Sequence, residues 1–162
     1  MTNRTGSCGA RLAHVSLVAE NWESLASFFR EVFGCLPIPP ERDLHGTWLE
    51  QATGVPGARI RGIHLRFPGD EADGPTLEIF QYDPAETSRE RSINRPGFAH
   101  MAVAVHSVEA ASEAVRKNGG SAVGPITRRS IRTAGTITFQ YVRDPEGNVI
   151  ELQHWEAVEA PA

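Results

Sequence analysis

Two stretches of this sequence share one pattern, and that pattern decides the fold. Residues 14–34 read HVSLVAENWESLASFFREVFG, and residues 100–120 read HMAVAVHSVEAASEAVRKNGG. The two stretches align without a gap, each position lying 86 residues after its counterpart. In both, a histidine opens an apolar run, a polar residue follows, and an amphipathic segment ends at glycine. An internal repeat of this kind predicts two modules with the same architecture.

Each copy of the repeat carries the signals of a strand followed by a helix. Residues 15–19 and 101–105 are short, apolar and partly β-branched, which is typical of buried strands. Asn21 and Ser107 suit the N-cap, because their side-chain oxygens accept hydrogen bonds from the free amides of a first helical turn. Glycine at the end of each amphipathic segment takes the left-handed conformation without a steric penalty. A strand–helix unit is therefore predicted in each half.

Three further strands are predicted after each helix. The last strand of each half is preceded by a turn sequence, at residues 70–75 and 144–148, that favours a hairpin. Each half is therefore predicted to be a βαβββ module, and the fold class to be α+β with two tandem modules. The predicted strands lie around residues 46–49, 60–67, 76–82, 121–123, 136–142 and 149–155.

The chain is predicted to form one domain with two short ends. This domain spans residues 11–156, with module one at 11–82 and module two at 98–156. The charged segment 83–97 contains two prolines and no periodicity, so it is predicted to link the modules. Flexible tails are expected at residues 1–10 and 157–162.

Composition excludes several classes of function. The chain has 162 residues, a formal net charge of −4 and a pI near 5.9, so it lacks the basic surplus that nucleic-acid binding requires. No apolar run approaches the roughly 20 residues of a membrane span, and the polar N-terminus lacks the apolar core of a signal peptide. Cys8 and Cys35 have no metal or redox spacing, and a disulfide between them is possible but has no supporting pattern. A cytoplasmic protein without nucleic-acid or membrane partners is expected.

Four residues at matching positions of the two halves point to a metal ion. His14 and His100 open the first strand of each module, while Glu78 and Glu151 lie inside apolar strands near the end of each module. A buried carboxylate is costly unless it is paired, so two such glutamates invite a common explanation. If a pseudo-two-fold axis relates the modules, the two His/Glu pairs converge between them. Two imidazoles and two carboxylates suit Zn²⁺, Ni²⁺, Co²⁺ or Mn²⁺.

The neighbours of these glutamates indicate a lined cavity. Alternation along the strands places Glu78 on one face with Phe80 and Tyr82, and Glu151 with Gln153 and Trp155. Aromatic residues on the same face as a carboxylate favour a cavity over a solvated surface. The residues expected to contact a substrate are Trp48, Phe67, Phe80, Phe139 and Trp155.

Three other features each allow two interpretations. His64 lines the cleft or, more simply, packs in the core. Arg128, Arg129 and Arg132 meet an anionic part of the substrate or form a solvated loop. Residues 37–57 make the first half longer than the second, and they form a pocket wall or a surface loop.

The paired modules and their His/Glu pairs resemble the vicinal oxygen chelate superfamily. That superfamily includes glyoxalase I, methylmalonyl-CoA epimerase, extradiol dioxygenases, fosfomycin-resistance enzymes and bleomycin-binding proteins. The resemblance covers residues 11–156, and its most specific part is DPEGNVIEL at residues 144–152, which looks like the closing hairpin of a family module. It implies a curved mixed sheet around a metal cleft, with the four residues as ligands. It also implies a small-molecule substrate and a homodimer.

The ligand set favours one branch of this superfamily. Extradiol dioxygenases and fosfomycin-resistance enzymes typically use two histidines and one glutamate, whereas a fourth ligand at Glu78 matches glyoxalase I, and the epimerase usually has glutamine there. The resemblance therefore implies a divalent-metal-dependent isomerase or lyase acting on a small carbonyl or acyl-thioester compound. The expected chemistry is stabilisation of an enediolate by the ion, with Glu78 or Glu151 taking the proton and Glu151 preferred.

Two other functions are open from the sequence. One is an Fe²⁺-dependent extradiol-type dioxygenase that uses His14, His100 and Glu151 and leaves Glu78 free. The other is a non-enzymatic protein that sequesters an antibiotic or an aromatic metabolite at the cleft. Metal content, oxygen consumption and turnover distinguish these functions, because sequestration needs none of the three.

Overall fold

The computed structural model describes residues 10–86 and 92–157, so most of both predicted tails and part of the predicted linker lie outside the described residues. The first half contains β1 (His14–Val18), α1 (Trp22–Phe33), β2 (Leu36–His45), α2 (Thr47–Thr53), β3 (Arg59–Arg66) and β4 (Thr76–Asp83). The second contains β5 (Met101–Ala104), α3 (Val108–Lys117), β6 (Ser121–Ala122), β7 (Thr127–Ile131), β8 (Gly135–Arg143) and β9 (Val149–Glu156).

The two halves form two mixed sheets of the same topology. In the first sheet the strand order is β1-β4-β3-β2, with β1 parallel to β4 and the other pairs antiparallel. In the second the order is β5-β9-β8, with β5 parallel to β9, and both β6 and β7 pair with β8. Two short strands therefore occupy the place that β2 has in the first sheet. The α+β class and the two βαβββ modules are confirmed.

The helix ends form as the repeat predicts. The Asn21 side chain accepts a hydrogen bond from the Ser24 amide at 2.9 Å, and the Ser107 hydroxyl accepts one from the Ala110 amide at 3.1 Å. Gly34 ends α1 with a φ of 69°, in the left-handed region that glycine adopts most easily. Both helices thus begin on the predicted N-caps, and α1 ends on the predicted glycine, whereas the C-cap of α3 is Asn118 and Gly119 follows it with a φ of 86°.

One hydrophobic core joins the two modules. Helix α1 contributes Leu25 and Phe29, which are fully or almost fully buried, and α3 contributes Val115. Ile79 of β4 and Leu152 of β9 pack into the same cluster from the two sheets. Because both helices cover their own sheet and also contact each other, the faces of the sheets that bear Glu78 and Glu151 point away from this core.

The predicted strand at residues 46–49 is wrong, because Thr47–Thr53 forms α2. The strand of this region is β2, which comes earlier and contains Pro37, Pro39 and Pro40. Proline lacks an amide donor, so it is tolerated at a sheet edge, and β2 is the edge strand of the first sheet. The segment that lengthens the first half is thus an edge strand and a helix.

The second departure from the predicted strands is β7. All five of its residues are exposed, so it has no apolar alternation from which it could be predicted. It carries Arg128 and Arg129, and Arg128 forms an ion pair with Glu156 at 2.6 Å. This part of the arginine cluster is therefore an edge strand.

The turn at residues 144–148 connects the two modules as well as β8 and β9. The buried Asp144 carboxylate accepts hydrogen bonds from the amides of Glu146 and Asn148, both at 2.9 Å. The Glu146 carboxylate then accepts from the amides of Glu20 and Asn21 at 2.9 and 3.0 Å, just before α1. The hairpin of module two therefore holds the start of the helix of module one.

Cys35 is the cysteine that the structure describes, and Cys8 lies outside the described residues. Burial raises the pKa of the Cys35 thiol to about 12, with a smaller contribution from Asp70.

In the part of the chain that the structure describes, no helix has the length and apolar character needed to cross a bilayer.

Candidate metal centre

The first half-site is formed by β1 and β4. His14 begins β1, and its neighbour in the parallel register is Thr76, while Glu78 lies two residues further along β4. The Nε2 atom of His14 lies 3.9 Å from Oε2 of Glu78. The His14 side chain is 47% exposed and that of Glu78 is 13% exposed, so the carboxylate is sheltered while the imidazole is open on one side.

A second imidazole belongs to this half-site. His64 of β3 lies opposite Glu78 in the antiparallel register, and its Nε2 atom lies 3.1 Å from Oε1 of Glu78. Its Nδ1 atom lies 3.0 Å from the Thr76 hydroxyl. Burial lowers the pKa of His64 and outweighs the opposite effect of Glu78, while the charges of Arg42 and His14 lower it further. This shift favours the neutral form of the His64 imidazole.

The second half-site is formed by β8, β9 and the residue before β5. The Nε2 atom of His100 lies 3.1 Å from Oε2 of Glu151, which is 14% exposed. Tyr141 lies opposite Glu151 in the β8–β9 register, and its ring packs edge-on against His100 with centroids 5.2 Å apart. Burial, the charge of Glu151 and a hydrogen bond to that carboxylate raise the pKa of the Tyr141 phenol.

The two half-sites do not meet within one chain. The ion pairs of the described residues join His14 to Glu78 and His100 to Glu151, and none within 4.0 Å joins one half-site to the other. In the described ranges, no group of three or more histidine, cysteine or acidic side chains is arranged to hold a metal ion. The structure thus brings the four predicted ligands together as two pairs.

The family follows from a match that spans most of the chain. The model of the glyoxalase/bleomycin resistance protein/dioxygenase superfamily matches residues 11–152. The chain belongs to this superfamily. Members of the superfamily generally bind a divalent metal ion and small molecules, and they include many enzymes as well as resistance proteins. No curated protein matches the sequence significantly.

Solved structures of this superfamily share the fold at low sequence identity. A glyoxalase family protein from Bacillus cereus matches with a TM-score of 0.78 and 19% identity over 93% of this chain and 97% of that one. A fosfomycin resistance protein from Listeria monocytogenes matches with a TM-score of 0.58 and 16% identity over 91% of this chain and 94% of that one. At these identities the comparisons establish the fold alone.

The donor atoms present fit the divalent ion that the superfamily generally binds. Two imidazole nitrogens and two carboxylates suit Zn²⁺, Ni²⁺, Co²⁺ or Mn²⁺. Within each pair a nitrogen and an oxygen lie 3.9 or 3.1 Å apart on the same face of a sheet. The Nδ1 atom of His100 is buried without a hydrogen-bond partner among the described residues, so only Nε2 of this ring has a polar neighbour there.

The residues predicted to contact a substrate fall into three groups. Phe80 and Phe139 occupy the ligand-bearing faces by strand register, as does Trp155, which is 43% exposed. Trp48 lies on α2 and is 56% exposed. Phe67 instead packs on Phe33 of α1, on the helix side of the first sheet. The five therefore do not line one surface of a single chain.

Three residues near the ligands were missed or underestimated by sequence reasoning. His64 allowed two interpretations, and Tyr141 has no sequence signal that joins it to Glu151. Arg42 lies opposite Gly62 in the β2–β3 register, close enough to His64 to affect its pKa. Each of these residues reaches the site across a pair of strands, so only knowledge of the register identifies it.

Proposed function

We propose that this protein is a divalent-metal-dependent isomerase or lyase of the glyoxalase I or epimerase type. Its substrate is a small carbonyl or acyl-thioester compound. The observation that supports this function is the repeated His/Glu pair, at 3.9 Å in module one and 3.1 Å in module two. Two such pairs supply four ligands, which is the set expected for this branch of the superfamily.

The working form proposed is a homodimer in which module one of one chain faces module two of its partner. The two pairs are separate in a single chain, and His14 is half exposed on an open sheet face. Among the described residues, strands β1 and β5 each end a sheet, so each offers an unpaired edge next to a histidine. A two-fold axis then brings one His/Glu pair from each chain together at two equivalent sites.

The chain's own residues have separate tasks in this reaction. A divalent ion, when bound, polarises a carbonyl and stabilises the negative charge that develops on its oxygen. His14, Glu78, His100 and Glu151 would hold that ion, and Glu151 would loosen from it to act as the base. Glu151 takes the proton from the carbon next to the carbonyl and returns it to a neighbouring carbon or to the opposite face. The sheltered carboxylates and nearby aromatic rings limit access of water to that proton.

Metal content is the first test of this function. Elemental analysis of the wild type is expected to show roughly one equivalent of Zn, Ni, Co or Mn per chain, and less in Glu78→Ala. A screen of hemithioacetals and acyl-CoA epimers then seeks turnover. Iron retained by both proteins, with oxygen consumption, would identify a dioxygenase instead. Absence of metal in both proteins after reconstitution would leave a sequestering protein.

A mixed dimer tests the shared site. One chain carries His14→Ala and Glu78→Ala, and the other carries His100→Ala and Glu151→Ala, each with a different affinity tag. The purified heterodimer is expected to bind about one ion per dimer, because one of its two sites is complete. Each mutant homodimer should bind none. A heterodimer without bound metal would place both pairs of a site in the same chain.

A further inference from the structure

Arg42 lies on the same side of the first sheet as Glu78, two strands away from it. Its neighbour in the β2–β3 register is Gly62, and the neighbour of Gly62 in the β3–β4 register is Phe80. A Cβ atom on Gly62 would meet the Phe80 ring, so this row of residues projects on the side of Phe80. Because side chains two residues apart on a strand share a face, Glu78 points to that side as well. The row of Arg42 is therefore next to the row that holds Glu78 and His64.

The guanidinium of Arg42 has few acceptors within the protein. Its Nη1 atom donates a hydrogen bond to the carbonyl of Pro40, two residues earlier in the same strand. A guanidinium has five N–H donors, so most of them have no acceptor in the part of the chain that the structure describes. Arg42 is partly buried, yet it is absent from the ion pairs within 4.0 Å that arginines form among the described residues. Those arginines are Arg11, Arg59, Arg116 and Arg128.

Two other arginines on the ligand-bearing faces have a structural role that Arg42 lacks. Arg66 of β3 and Arg143 of β8 hold matching positions, and each donates to a carbonyl of the turn after its strand, at 2.6 and 2.9 Å. The position in the second sheet that matches Arg42 is Thr127, which lies opposite Phe139 on β8. The charge of Arg42 is therefore not part of the repeat.

The surroundings of Arg42 make an unpaired positive charge unfavourable. Leu44, two residues further along β2, packs against the apolar cluster that contains Phe80 and Leu49 of α2. A partly buried charge beside apolar side chains loses hydration, and a bound anion offsets that loss. Burial is the main cause of the lowered pKa of His64, and the charge of Arg42 lowers it further, so the guanidinium lies within electrostatic reach of the half-site.

We infer that Arg42 binds a carboxylate of the substrate while the reacting carbonyl lies at the ion. The planar fork of a guanidinium matches a carboxylate through two parallel hydrogen bonds. With strands about 4.8 Å apart and residues about 3.3 Å apart along a strand, the Cα atoms of Arg42 and Glu78 are roughly 12 Å apart, which leaves room for a short molecule between their side chains. The substrate is thus a small carbonyl compound with a carboxylate at its far end. This inference rests on the proposed function, since it names the substrate class of the same site.

Two small acids test this subsite in the Co²⁺-loaded intact protein. 2-Oxoglutarate and 2-oxovalerate share the same 2-oxo acid group and chain, but the first ends in a carboxylate and the second in a methyl group. Isothermal titration calorimetry of the wild type is expected to show about 10- to 100-fold tighter binding of 2-oxoglutarate, the effect of one charge-assisted contact. In Arg42→Gln the two affinities should become about equal. Arg42→Lys should keep part of the preference, because the charge stays without the fork.

Arg61→Gln is the matched control. Arg61 precedes Gly62 on β3 and therefore points to the opposite side of the sheet, and its replacement changes the net charge of the protein by the same amount. The preference for 2-oxoglutarate should remain at its wild-type value. A preference lost equally in Arg61→Gln would reveal a general charge effect and overturn the inference.

A second measurement needs neither metal nor turnover. In ¹H–¹⁵N correlation spectra of the metal-free protein at constant ionic strength, glutarate is expected to shift the Nε–H signal of Arg42 saturably and to leave that of Arg61 unchanged. The loss of each signal in Arg42→Lys and Arg61→Gln assigns it. An Arg42 signal that glutarate leaves unmoved would overturn the inference, even if Arg42→Gln fails to fold.

The outcomes separate this inference from the proposed function. Equal affinities of the two acids for the Co²⁺-loaded wild type, or an undiminished preference in Arg42→Gln, overturn the carboxylate site while the proposed function stands. A wild type that takes up no Co²⁺ overturns the proposed function, and the glutarate titration then decides whether Arg42 binds a carboxylate.

Discussion

The two half-sites have the same candidate ligands but different surroundings. Each places a histidine at the start of a parallel strand and a glutamate on the strand beside it. Opposite the glutamate, module one has His64 and module two has Tyr141. The repeat thus preserves the candidate ligands, while the side chain opposite each carboxylate differs. Two glutamates that look equivalent in sequence therefore have different neighbours in the structure.

A second difference concerns which strand carries the aromatic ring near each glutamate. In module one Phe80 lies on β4 and its cross-strand neighbour is Gly62. In module two the aromatic ring is on the neighbouring strand instead, because Gln153 lies on β9 and Phe139 lies opposite it on β8. Phe80 is 7% exposed and packs with α2, whereas α3 packs on the other side of the second sheet. Helix α2 therefore covers the Phe80 end of the first half-site, and α3 gives the second half-site no such cover.

The largest expected effect separates the two glutamates by their role. Glu151→Gln removes the proposed base and should lower kcat about 10²- to 10⁴-fold on a substrate found by the screen, with metal retained. Glu78→Gln keeps a metal-facing oxygen and should mainly weaken metal binding. Steady-state kinetics and metal content of both variants show which glutamate acts as the base and which mainly binds the metal. Loss of turnover with metal retained in Glu78→Gln alone would exchange the two roles.

The packing of Phe80 against β3 in module one is expected to depend on Gly62. A Cβ atom there would lie 2.0 Å from the Ile79 carbonyl oxygen and 2.5 Å from the Phe80 ring, so backbone as well as ring must shift. Gly62→Ala should lower the free energy of unfolding by about 1–3 kcal/mol in urea denaturation. Gly124→Ala, where a Cβ meets open space, is the control. Equal stability of the two variants would refute this tight packing.

The two hairpins should differ in how much they stabilise the other module. Glu146 accepts the amides of Glu20 and Asn21, so Glu146→Ala is expected to cost about 0.5–2 kcal/mol, as for the loss of a helix N-cap. Glu71→Ala, an exposed residue in the hairpin of module one, is the matched substitution. Thermal unfolding of both variants measures the difference. A Glu71→Ala variant that is equally destabilised would show that the hairpins act alike.

The smallest expected effect is a pH dependence from Asp144. Burial raises the pKa of Asp144, and its hydrogen bonds to Asn148 and Glu146 only partly oppose this. The folded state therefore binds the proton of Asp144 more tightly than the unfolded state does. The contribution of Asp144 to the free energy of unfolding then falls as pH rises through the interval between its unfolded and folded pKa values. In Asp144→Asn this pH-dependent contribution should be absent, and an identical dependence of the free energy of unfolding on pH in the two proteins would contradict the raised pKa.

Prediction from the sequence succeeded where the signal was local. The N-caps at Asn21 and Ser107 and the glycine that ends α1 depend on bonds within a few residues. The errors came where the signal was not local: β2 contains three prolines and β7 is exposed throughout, so neither has the alternation of a strand. Both are edge strands that exist because a neighbouring strand offers them hydrogen bonds.

The candidate site divides in the same way. His14, Glu78, His100 and Glu151 were found from the repeat and from the cost of placing a carboxylate in an apolar strand. The contacts of His64, in contrast, could be found only from the structure, which places it opposite Glu78 and beside Thr76. The location of Phe67 was also not predicted, because its position after β3 gave no sign that it would pack on Phe33.

The sequence by itself determined two βαβββ modules and the four candidate ligands, since periodicity, caps and repeat spacing are properties of the chain alone. Only the tertiary structure decided that the two His/Glu pairs stay apart in one chain and that an imidazole lies opposite one carboxylate and a phenol opposite the other. The physical reason is that register and the packing of one module on the other join residues far apart in the chain. A shift of one residue in register would turn His64 to the other face of its sheet.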